Sequence, residues 1–474
     1  MGPIEIVTKN ENAGKLEKAV LDEFSDTIRG EITTAEDSSY GDARLVWNGM
    51  IDRKPGLIVK CTGTADVIAC VNFAREHGLK LSVRGGGHNV GGLAVNDNGL
   101  VIDLSYMRGV RVDPVARKAW VQGGATLGDV DHETQAFGLS VPLGVVSATG
   151  AAGLTLHGGV GWLTRKHGLS LDNVISYEVV NADGRLVRAS VGENPDLYWA
   201  LRGGGGNFGV VTSFEYRLHP VGPLVWQLMT LYPADETKNL LRLFRKEIPH
   251  TTGELGVISV LWNAPDDDAI PSAYRGKPVF IFLGCYTGPP ETAEKALKPF
   301  RAAGPVVADL SSPMPFEKVQ SSLDDDYPEG RRYYWKSLFL DTLKDETIDA
   351  LIGHARSKPS PLTSLDIWAL GGAMGRVNPT ETAFARRDAP YLLALESNWE
   401  RETDDEANIH WTREVYRDMQ RFSKGGVYLN FPGFAEEGEK MLKNSYRSNF
   451  ERLKRVKAAY DPRNLFQGNL NIAP

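Results

Sequence analysis

Cysteine is scarce in this sequence, with only Cys61, Cys70 and Cys285 among 474 residues. Three cysteines are too few for a disulfide framework, which is typical of a protein in a reducing compartment. Long apolar runs are missing too, because no stretch approaches the roughly 18 consecutive apolar residues that a transmembrane helix needs. The first residues, Met1–Ile6, lack the apolar core of a signal peptide. We therefore expect a cytoplasmic protein without a membrane span.

An excess of positive charge is also missing, because 53 Lys and Arg residues face 60 Asp and Glu residues and give a net charge of −7. This balance argues against a nucleic-acid or anionic-membrane partner. The absence of C-x-x-C and H-E-x-x-H motifs leads us to expect no metal site, and no P-loop or G-x-S-x-G hydrolase motif is present. With 42% hydrophobic and 24% charged residues, the chain is predicted to form two or three globular domains or one large two-lobed unit.

Glycine, by contrast, is in excess, at 50 residues where average composition gives about 33. Three segments are especially rich in it, at 84–92, 144–161 and 202–209. The third matches the G-x-G-x-x-G dinucleotide fingerprint, but a predicted helix precedes it and a predicted strand follows it, the reverse of the required order. The first two expose backbone N–H groups, which bind phosphate oxygens, so both could converge on one diphosphate. The alternative is that they form tight turns in a β-rich domain.

Hydrophobic periodicity predicts the elements around these segments. In the first half we expect helices at 15–29, from a Thr64 cap to Gly78, from a Thr126 cap through Phe137, and from Pro195. Strands are predicted there at 79–83, 100–104, 110–112, 118–122, 174–180, 185–189 and 210–218. Beyond a boundary near 220–223, strands are predicted at 225–231, 279–286, 365–370 and 391–398, and helices at 237–246, 291–302, 345–356 and 405–422. A last helix at 436–460 precedes a tail, 464–472, that we expect to be docked.

His88 is the most distinctive single residue. It follows three glycines at the end of a predicted strand, where a planar ring system could lie directly against the chain. The remaining histidines are predicted to be structural, among them His77, His132, His167 and His219.

Four long motifs carry a resemblance to a known family. They are RGGGHNVGG at 84–92 with VIDLS at 101–105, TGAAGLTLHGGVGWLTRKHGLSLDNV at 149–174, DLYWALRGGGGNFGVVT at 196–212, and YDPRNLF at 460–466. Residues 56–221 resemble the FAD-binding domain of the vanillyl-alcohol oxidase superfamily, also called the PCMH-type fold. Within it the chain is most similar to the berberine-bridge-enzyme-like branch of the 6-hydroxy-D-nicotine oxidase type, over nearly its whole length.

The resemblance implies an α+β fold with three parts. A FAD-binding domain would occupy 1–222, with its PCMH-type core at about 51–221. A substrate-binding domain at 223–430 would contain an antiparallel sheet backed by helices. The C-terminal segment, 431–474, would return to the FAD domain.

The same resemblance assigns the cofactor-binding residues, with His88 carrying FAD through a covalent bond. Many relatives add a second bond from a cysteine, whose position is taken here by Val146, so we expect a single link. His157 stands where the family usually has glycine. The full set placed at the cofactor is Val83, Arg84, Gly85, Gly86, Gly87, His88, Asn89, Leu93, Ala94, Val146, Ser147, Ala148, Thr149, Gly150, Gly153, Leu154, His157, Gly159, Gly161, Trp162, Val210, Val211, Asn430, Asn469 and Asn471.

Oxidation of a C–H bond next to O–H or N–H needs a base for the heteroatom proton. Tyr428, in a segment similar to the family's Y-x-N motif, is the catalytic candidate, and Asn430 should contact the flavin. The alternative for Tyr428 is a core aromatic in an alternating strand. Further pocket candidates, each with the core as its alternative, are Tyr333, Tyr334, Trp335, Lys336, Trp368 and Trp399. Residues 266–268 and 324–326, all aspartate, are predicted to be solvated loop charges.

The resemblance implies a FAD-linked oxidase that acts on an alcohol, amine or phenolic natural product and is reoxidised by O₂ to give H₂O₂. Two alternatives remain open, a flavin dehydrogenase with another acceptor and a non-redox flavin protein that cyclises or binds its ligand. The expected partners are a small-molecule substrate and O₂, with no nucleic acid and no membrane. The sequence leaves the substrate unnamed, although a single link favours alkaloids, phenolics or polyketides over sugars, and the protein could be a monomer or a homodimer.

Overall fold

The computed structural model describes residues 4–474 of the chain. Up to residue 220 its strands and helices are, in chain order, β1 (Ile4–Val7), β2 (Ala13–Leu16), α1 (Lys18–Asp26), β3 (Glu31–Thr33), α2 (Tyr40–Ala43), β4 (Leu57–Lys60), α3 (Thr64–His77), β5 (Leu81–Arg84), β6 (Leu100–Asp103), β7 (Val110–Asp113), β8 (Lys118–Gln122), α4 (Leu127–Gln135), β9 (Leu139–Ser140), α5 (Ala151–Leu156), α6 (Thr164–His167), β10 (Val174–Val180), β11 (Leu186–Ser190), α7 (Pro195–Leu201), β12 (Val210–Arg217) and β13 (His219–Pro220).

The rest of the chain alternates long strands with helices. From residue 224 to residue 419 the elements are β14 (Leu224–Pro233), α8 (Thr237–Glu247), β15 (Leu255–Asn263), β16 (Pro278–Tyr286), α9 (Pro290–Arg301), β17 (Ala308–Asp309), β18 (Ser312–Pro315), α10 (Phe316–Gln320), β19 (Arg332–Leu340), α11 (Asp345–Arg356), β20 (Ser364–Ala369), α12 (Ala373–Arg376), β21 (Tyr391–Trp399) and α13 (Asp405–Met419). They are followed by α14 (Gly438–Tyr446) and α15 (Phe450–Tyr460). Across residues 4–474, none of the helices combines the length and the apolar character needed to cross a membrane.

Two sheets organise the first part of the molecule. In one, β4, β6 and β5 are parallel and β3 is antiparallel at the edge, in the order β3-β4-β6-β5. The other is antiparallel, in the order β11-β10-β12-β8-β7. The two sheets meet at Gly123. Because Gly123 has no side chain, the Val211 carbonyl oxygen can approach its Cα closely, and the Gly123 carbonyl oxygen lies against Gly85 in the same way. The loop that follows β5 therefore begins where the two sheets join.

One large antiparallel sheet organises the second part, in the order β17-β14-β16-β15-β20-β21-β19, with β18 paired to β14. Alternate residues of each strand point to opposite faces. On one face, Leu393 and Ile367 belong to a buried cluster that includes α8, α9, α11 and α13. On the other face, Leu392 and Trp368 pack against the first part of the chain, in a cluster that contains Trp162. An antiparallel sheet backed by helices confirms the predicted fold class.

The end of the chain packs against its beginning. Leu465 and Phe466 lie in the same buried cluster as Leu57 and Leu81 of the parallel sheet. The Ile472 backbone N–H donates to a side-chain oxygen in the third glycine segment, the Oδ1 of Asn207, at 2.9 Å. The tail is therefore docked, as its composition predicts.

Helix starts are predicted well where a cap is a local side-chain interaction. Thr126 caps α4 in a capping box with Asp129. At α3, however, Gly63 occupies the cap and Thr64 is the first helical residue, although the helix ends at Gly78 as predicted, with φ of 63°.

Other predicted bounds are wrong for identifiable reasons. The helix predicted for 15–29 is limited to Lys18–Asp26, because residues 13–16 pair with β1 as β2. The helix predicted to include Phe137 ends at Gln135, and Phe137 is half exposed, because left-handed Gly138 turns the chain. The single helix predicted for 436–460 is interrupted at Arg447, which has a φ of 51°.

Two of the nine-residue strands, β15 and β19, are missing from the prediction, as are several strands of two to four residues. Residues 255–261 of β15 and 333–340 of β19 are all buried, because helices cover one face and the first part of the chain covers the other. Period-2 alternation is lost when both faces of a strand are covered, so periodicity gave no signal here.

Candidate active site

A cavity lies between the first part of the chain and the large sheet. One side is formed by the loop after β5, the segment 144–157, the start of β12 and the tail at 466–469. The opposite side is formed by β15, β20, β21 and the loop at 428–431. The first two glycine segments thus border the same space as the helix-free face of the sheet.

These two glycine segments touch each other. A Cβ on Gly86 would lie 2.5 Å from the backbone N of Gly150, so neither residue can carry a side chain. Close approach explains these glycines, and both segments also line the cavity. Backbone N–H groups of such loops bind phosphate oxygens, so the arrangement suits the diphosphate that the sequence predicts.

His88 lies at the end of the first glycine loop and lines the cavity. Its ring stacks on Trp47 with centroids 3.9 Å apart, and Trp47 stacks on Tyr333 on its other face, at 3.7 Å. Burial lowers the pKa of His88 to about 3, so the imidazole is neutral and retains a lone pair for bond formation. Its Nε2 has no hydrogen-bond partner among residues 4–474.

On the glycine-loop side of the cavity, two other buried polar atoms share this lack of a partner within the described residues. They are Nε2 of His157 and Oδ1 of Asn469. Burial lowers the pKa of His157 to about 4, and its ring lies so close to Gly205 that a Cβ there would be 2.3 Å from Nε2. Buried polar groups are normally hydrogen-bonded. Imidazole and amide atoms without partners, together with a glycine cradle, fit a long polar ligand such as FAD.

Most residues that the sequence places at the cofactor line this cavity. They are Val83, Gly85, Gly86, Gly87, His88, Asn89, Leu93, Ala94, Val146, Thr149, Gly150, Gly153, Leu154, His157, Val210, Val211, Asn430 and Asn469. Sequence reasoning missed further wall residues beside them, namely Leu81, Ser82, Leu104, Gly123, Gly206, Gly209, Phe466 and Gly468. Gly123 and Gly468 carry a signal, since Gly123 begins a glycine pair at the end of a predicted strand and Gly468 is a single glycine within the apolar tail.

The other cofactor candidates do not form its wall. Arg84 donates to the Ala43 carbonyl at 3.0 Å, and Gly161 packs on the Leu143 carbonyl, where a Cβ would be 1.8 Å from the oxygen. Trp162 belongs to the core beneath the large sheet. The remaining candidates outside the wall are Ser147, Ala148, Gly159 and Asn471. Their roles at the cofactor stay predictions.

The aspartates at 324–326 correct a prediction. Asp324 is not a free loop charge, because its Oδ1 accepts a hydrogen bond from the Ser147 backbone N–H at 2.7 Å. Burial raises the pKa of Asp326 to about 6. Asp324 therefore fastens the large-sheet part of the chain to the second glycine segment, whereas Asp325 is exposed, as predicted. The aspartates at 266–268 are exposed, as predicted.

Tyr428 precedes a turn and does not lie in a strand, so that part of the alternative is wrong. It is nevertheless a core aromatic, 2% exposed and packed in the hydrophobic cluster beneath the large sheet, and it also lines the cavity. Its hydroxyl oxygen accepts hydrogen bonds from the backbone N–H groups of Gly159 (3.1 Å) and Val160 (3.0 Å) and from Asn430 Nδ2 (2.9 Å). Burial is the largest influence and raises the pKa of Tyr428, whereas the three donors oppose that rise. Tyr428 lines the cavity, and no lysine or arginine of residues 4–474 donates to its hydroxyl, so its role as a base remains a prediction.

The wall opposite the glycine loops is formed by the large sheet. It contains the carboxyl groups of Asp366 and Glu396 and the rings of Tyr327, Trp335 and Trp368. Sequence reasoning proposed both tryptophans but missed the two acids and Tyr327. A signal was available in the apolar strands predicted at 365–370 and 391–398, because burial of an acidic side chain in such a strand costs free energy. An acid at such a position therefore indicates a functional role.

Four of the proposed pocket residues lie elsewhere. Tyr333 is fully buried in the stack with Trp47. Tyr334 and Lys336 point to the other face of the sheet, where both contact Glu436. Trp399 donates to Asp405 at 2.7 Å. All four are structural.

Comparison with known proteins agrees with this geometry. A family model described as a FAD binding domain matches residues 55–190, and one described as berberine and berberine like matches residues 427–473. The chain is 31% identical to a FAD-linked oxidoreductase of Bacillus subtilis, over 94% of this chain and 97% of that protein. It is 30% identical to (R)-6-hydroxynicotine oxidase of Paenarthrobacter nicotinovorans, again over 94% and 97%.

A solved structure gives the same answer. The crystal structure of 6-hydroxy-D-nicotine oxidase from Arthrobacter nicotinovorans superposes with a TM-score of 0.84 and 29% identity, covering 94% of this chain and 98% of that one. The class defined by fold and site is that of FAD-dependent oxidoreductases. Within it, the chain belongs to the berberine-bridge-enzyme-like branch of the vanillyl-alcohol oxidase superfamily, which confirms the predicted family.

Proposed function

We propose that this FAD-dependent oxidoreductase is an oxidase that removes a hydride from the carbon next to a hydroxyl or amino group of a small alkaloid, phenolic or related natural product. The observation that carries the proposal is one cavity that joins His88 and the glycine loops to a wall holding Tyr428 and aromatic side chains. FAD, when bound, supplies the hydride acceptor and passes two electrons to O₂ to give H₂O₂. Relatives named as oxidases support it, among them (R)-6-hydroxynicotine oxidase and tetrahydroberberine oxidase.

Substrate addition to the purified holoprotein tests this proposal in two stages. Without air, a substrate of an oxidase bleaches the flavin absorbance; a ligand of a non-redox cyclase or binding protein leaves it unchanged. On admission of air, an oxidase regains its colour and releases one H₂O₂ per turnover, whereas a dehydrogenase with another acceptor stays bleached. Slow reoxidation without peroxide would overturn the oxidase assignment.

The chain's own residues hold the cofactor in three ways. Backbone N–H groups of the two touching glycine segments bind the diphosphate. His157 and Asn469 supply hydrogen-bonding atoms that lack partners within the described chain. His88, neutral and stacked on Trp47, forms the covalent bond to the flavin. The aromatic stack with Trp47 and Tyr333 would hold the imidazole plane of His88 in place for that bond.

Replacement of His88 is expected to abolish covalent attachment. After acid precipitation, wild-type protein should keep its yellow colour, and His88→Ala should release all its flavin into the supernatant. His167→Ala is a matched control that should keep its covalent flavin, because His167 also has a buried Nε2 without a partner in residues 4–474 but lies outside the cavity wall. The assignment fails if wild type releases its flavin, or if His88→Ala retains it.

We further propose that the bond is single, because Val146 lines the cavity at the position of the second-link cysteine and has no nucleophilic atom. The thiols of Cys61, Cys70 and Cys285 are all buried and free, and none of them lines the cavity within the described chain. Proteolysis and mass spectrometry should therefore find flavin only on the peptide with His88. Flavin on any cysteine peptide would contradict the single link.

Tyr428 takes the proton-transfer position in this proposal. Two backbone N–H groups and Asn430 surround its oxygen, so they stabilise negative charge there, in the manner of an oxyanion hole. Tyr428 also lines the cavity in which the substrate would bind. The residue is thereby placed to exchange a proton with a substrate heteroatom.

We also propose a cytoplasmic location and a monomer or homodimer. Cys61 and Cys70 are both free, and their thiols are neighbours. Burial raises the pKa of the Cys70 thiol, and the neighbouring Cys61 thiol raises it further. Adjacent free thiols persist in a reducing compartment. Cell fractionation followed by size-exclusion chromatography tests location and assembly; recovery from the culture medium would contradict the first, and a larger assembly the second.

A further inference from the structure

Two carboxyl groups lie side by side on the cavity face of the large sheet. Asp366 in β20 is paired with Ala394 of β21, and Glu396 lies two residues further along the same strand. Residues two apart share a face, so the two acids are diagonal neighbours on one face. Each is only 4% exposed, and both line the cavity.

Neither acid of this pair forms an ion pair with another residue of 4–474. Glu396 accepts a hydrogen bond from the Tyr327 hydroxyl at 2.6 Å, but Asp366 Oδ1 has no partner within residues 4–474. The charge of Lys358 lowers the pKa of Asp366, but its ammonium donates to the Thr363 carbonyl at 2.6 Å and makes no ion pair with either acid in the described part of the chain. Burial raises the pKa of Asp366 to about 7 and also raises that of Glu396. A positive charge placed between them would offset that cost.

Aromatic rings surround the carboxyl pair. Tyr327, Trp335, Trp368 and Phe431 line the same part of the cavity, and aromatic faces attract cations most strongly where water is excluded. The remaining wall is aliphatic, from residues such as Ile258 and Leu392. A sugar would need partners for many hydroxyl groups, and this wall offers few beyond the acids, Tyr428 and the unpartnered Trp368 N–H.

From this juxtaposition we propose that the substrate is an amine, bound as a cation by Asp366 and Glu396 within the aromatic wall. This inference rests on the proposed oxidase function. The protonated amine first yields one proton to the carboxyl pair. The neutral amine R₂CH–NHR′ then loses a hydride from carbon and the proton from nitrogen to become the imine R₂C=NR′, while O₂ takes up two electrons and two protons as H₂O₂.

Binding of a cation that cannot be oxidised tests the recognition without turnover. Phenyltrimethylammonium and its uncharged isostere tert-butylbenzene are titrated into the holoenzyme, and the flavin absorbance spectrum reports binding. We expect phenyltrimethylammonium to bind at least about tenfold more tightly than tert-butylbenzene, because only the cation is attracted by the aromatic faces and by the two carboxyl groups. Equal binding of the two probes would overturn the proposal.

Uncharged variants of the two acids test whether these residues cause the preference for the cation. Asp366→Asn and Glu396→Gln should each weaken binding of phenyltrimethylammonium roughly tenfold to a hundredfold and leave tert-butylbenzene unchanged. Asp131→Asn is the matched control, since Asp131 is also a buried acid, with a pKa raised to about 7, but lies outside the cavity wall. The proposal falls if the control loses as much affinity as the two cavity variants, or if both probes weaken together.

Turnover assays distinguish a failure of the amine proposal from a failure of the proposed oxidase function. N-methylbenzylamine, benzyl alcohol and a disaccharide are compared by anaerobic bleaching of the flavin and by peroxide release. Faster bleaching by the amine supports both proposals. Bleaching by the alcohol or the disaccharide alone overturns the amine and leaves the oxidase standing. Preferential cation binding without bleaching by any compound overturns the oxidase instead.

Discussion

Tyr428→Phe is expected to slow the reduction of bound flavin by substrate about 10²- to 10⁴-fold, the range that a positioned acid–base group contributes. The change removes one oxygen and keeps the ring, which packs against Phe431 and fills the space beside Gly158. Folding and covalent flavin should therefore be retained. Tyr232→Phe is the control, because its hydroxyl donates to the Phe300 carbonyl in the helix-backed core, away from the cavity.

The pH dependence of flavin reduction tests whether Tyr428 acts as the base. Burial raises the pKa of Tyr428, so its hydroxyl is protonated at neutral pH in the unliganded protein. If the ionised form accepts the substrate proton, the rate of reduction rises with pH and has not levelled off near the ordinary tyrosine pKa of about 10. Anaerobic stopped-flow measurements on wild type and Tyr428→Phe decide this. A mutant rate within about threefold of wild type at every pH would show that the proton leaves by another route.

The cofactor-binding loops of this molecule could be predicted from local sequence. The loop with His88 and the segment around Gly150 are contiguous stretches whose glycines are required by backbone contact, so composition alone singles them out. The resemblance then supplied what spacing could not, the covalent role of His88. Trp47, by contrast, reaches His88 from a part of the chain with no motif, through a stack that only the folded structure reveals.

The substrate side was far less accessible to prediction. Asp366 and Glu396 become neighbours through the register of β20 and β21, and Tyr327 joins them from a loop nearly 70 residues before Glu396. Strands covered on both faces show no alternation, so the side that each residue faces could not be assigned. Membership of the family does not help here, because (R)-6-hydroxynicotine oxidase and tetrahydroberberine oxidase are named for different substrates.

Lys457 links the tail to the glycine-rich wall through groups that are all buried. Its ammonium, 0% exposed, donates to Asp461 Oδ2 at 2.7 Å, the Asn207 carbonyl at 2.8 Å and the Phe466 carbonyl at 3.2 Å. Asp461 in turn accepts from the backbone N–H groups of Leu465 and Phe466, both at 2.8 Å. This network holds Phe466 against the cavity that it lines.

Lys457→Met is expected to lower the free energy of unfolding by about 3–5 kcal/mol, because it leaves Asp461 charged, buried and without its cation. The same change should loosen the tail wall, so newly made protein should bind less FAD before the covalent bond forms. Urea unfolding and the ratio of flavin to protein absorbance measure the two effects. Lys454→Met, a half-buried lysine on the same helix with no ion pair in the described chain, should change both little. Equal losses in the two variants would show that the charge network is not what fastens the tail.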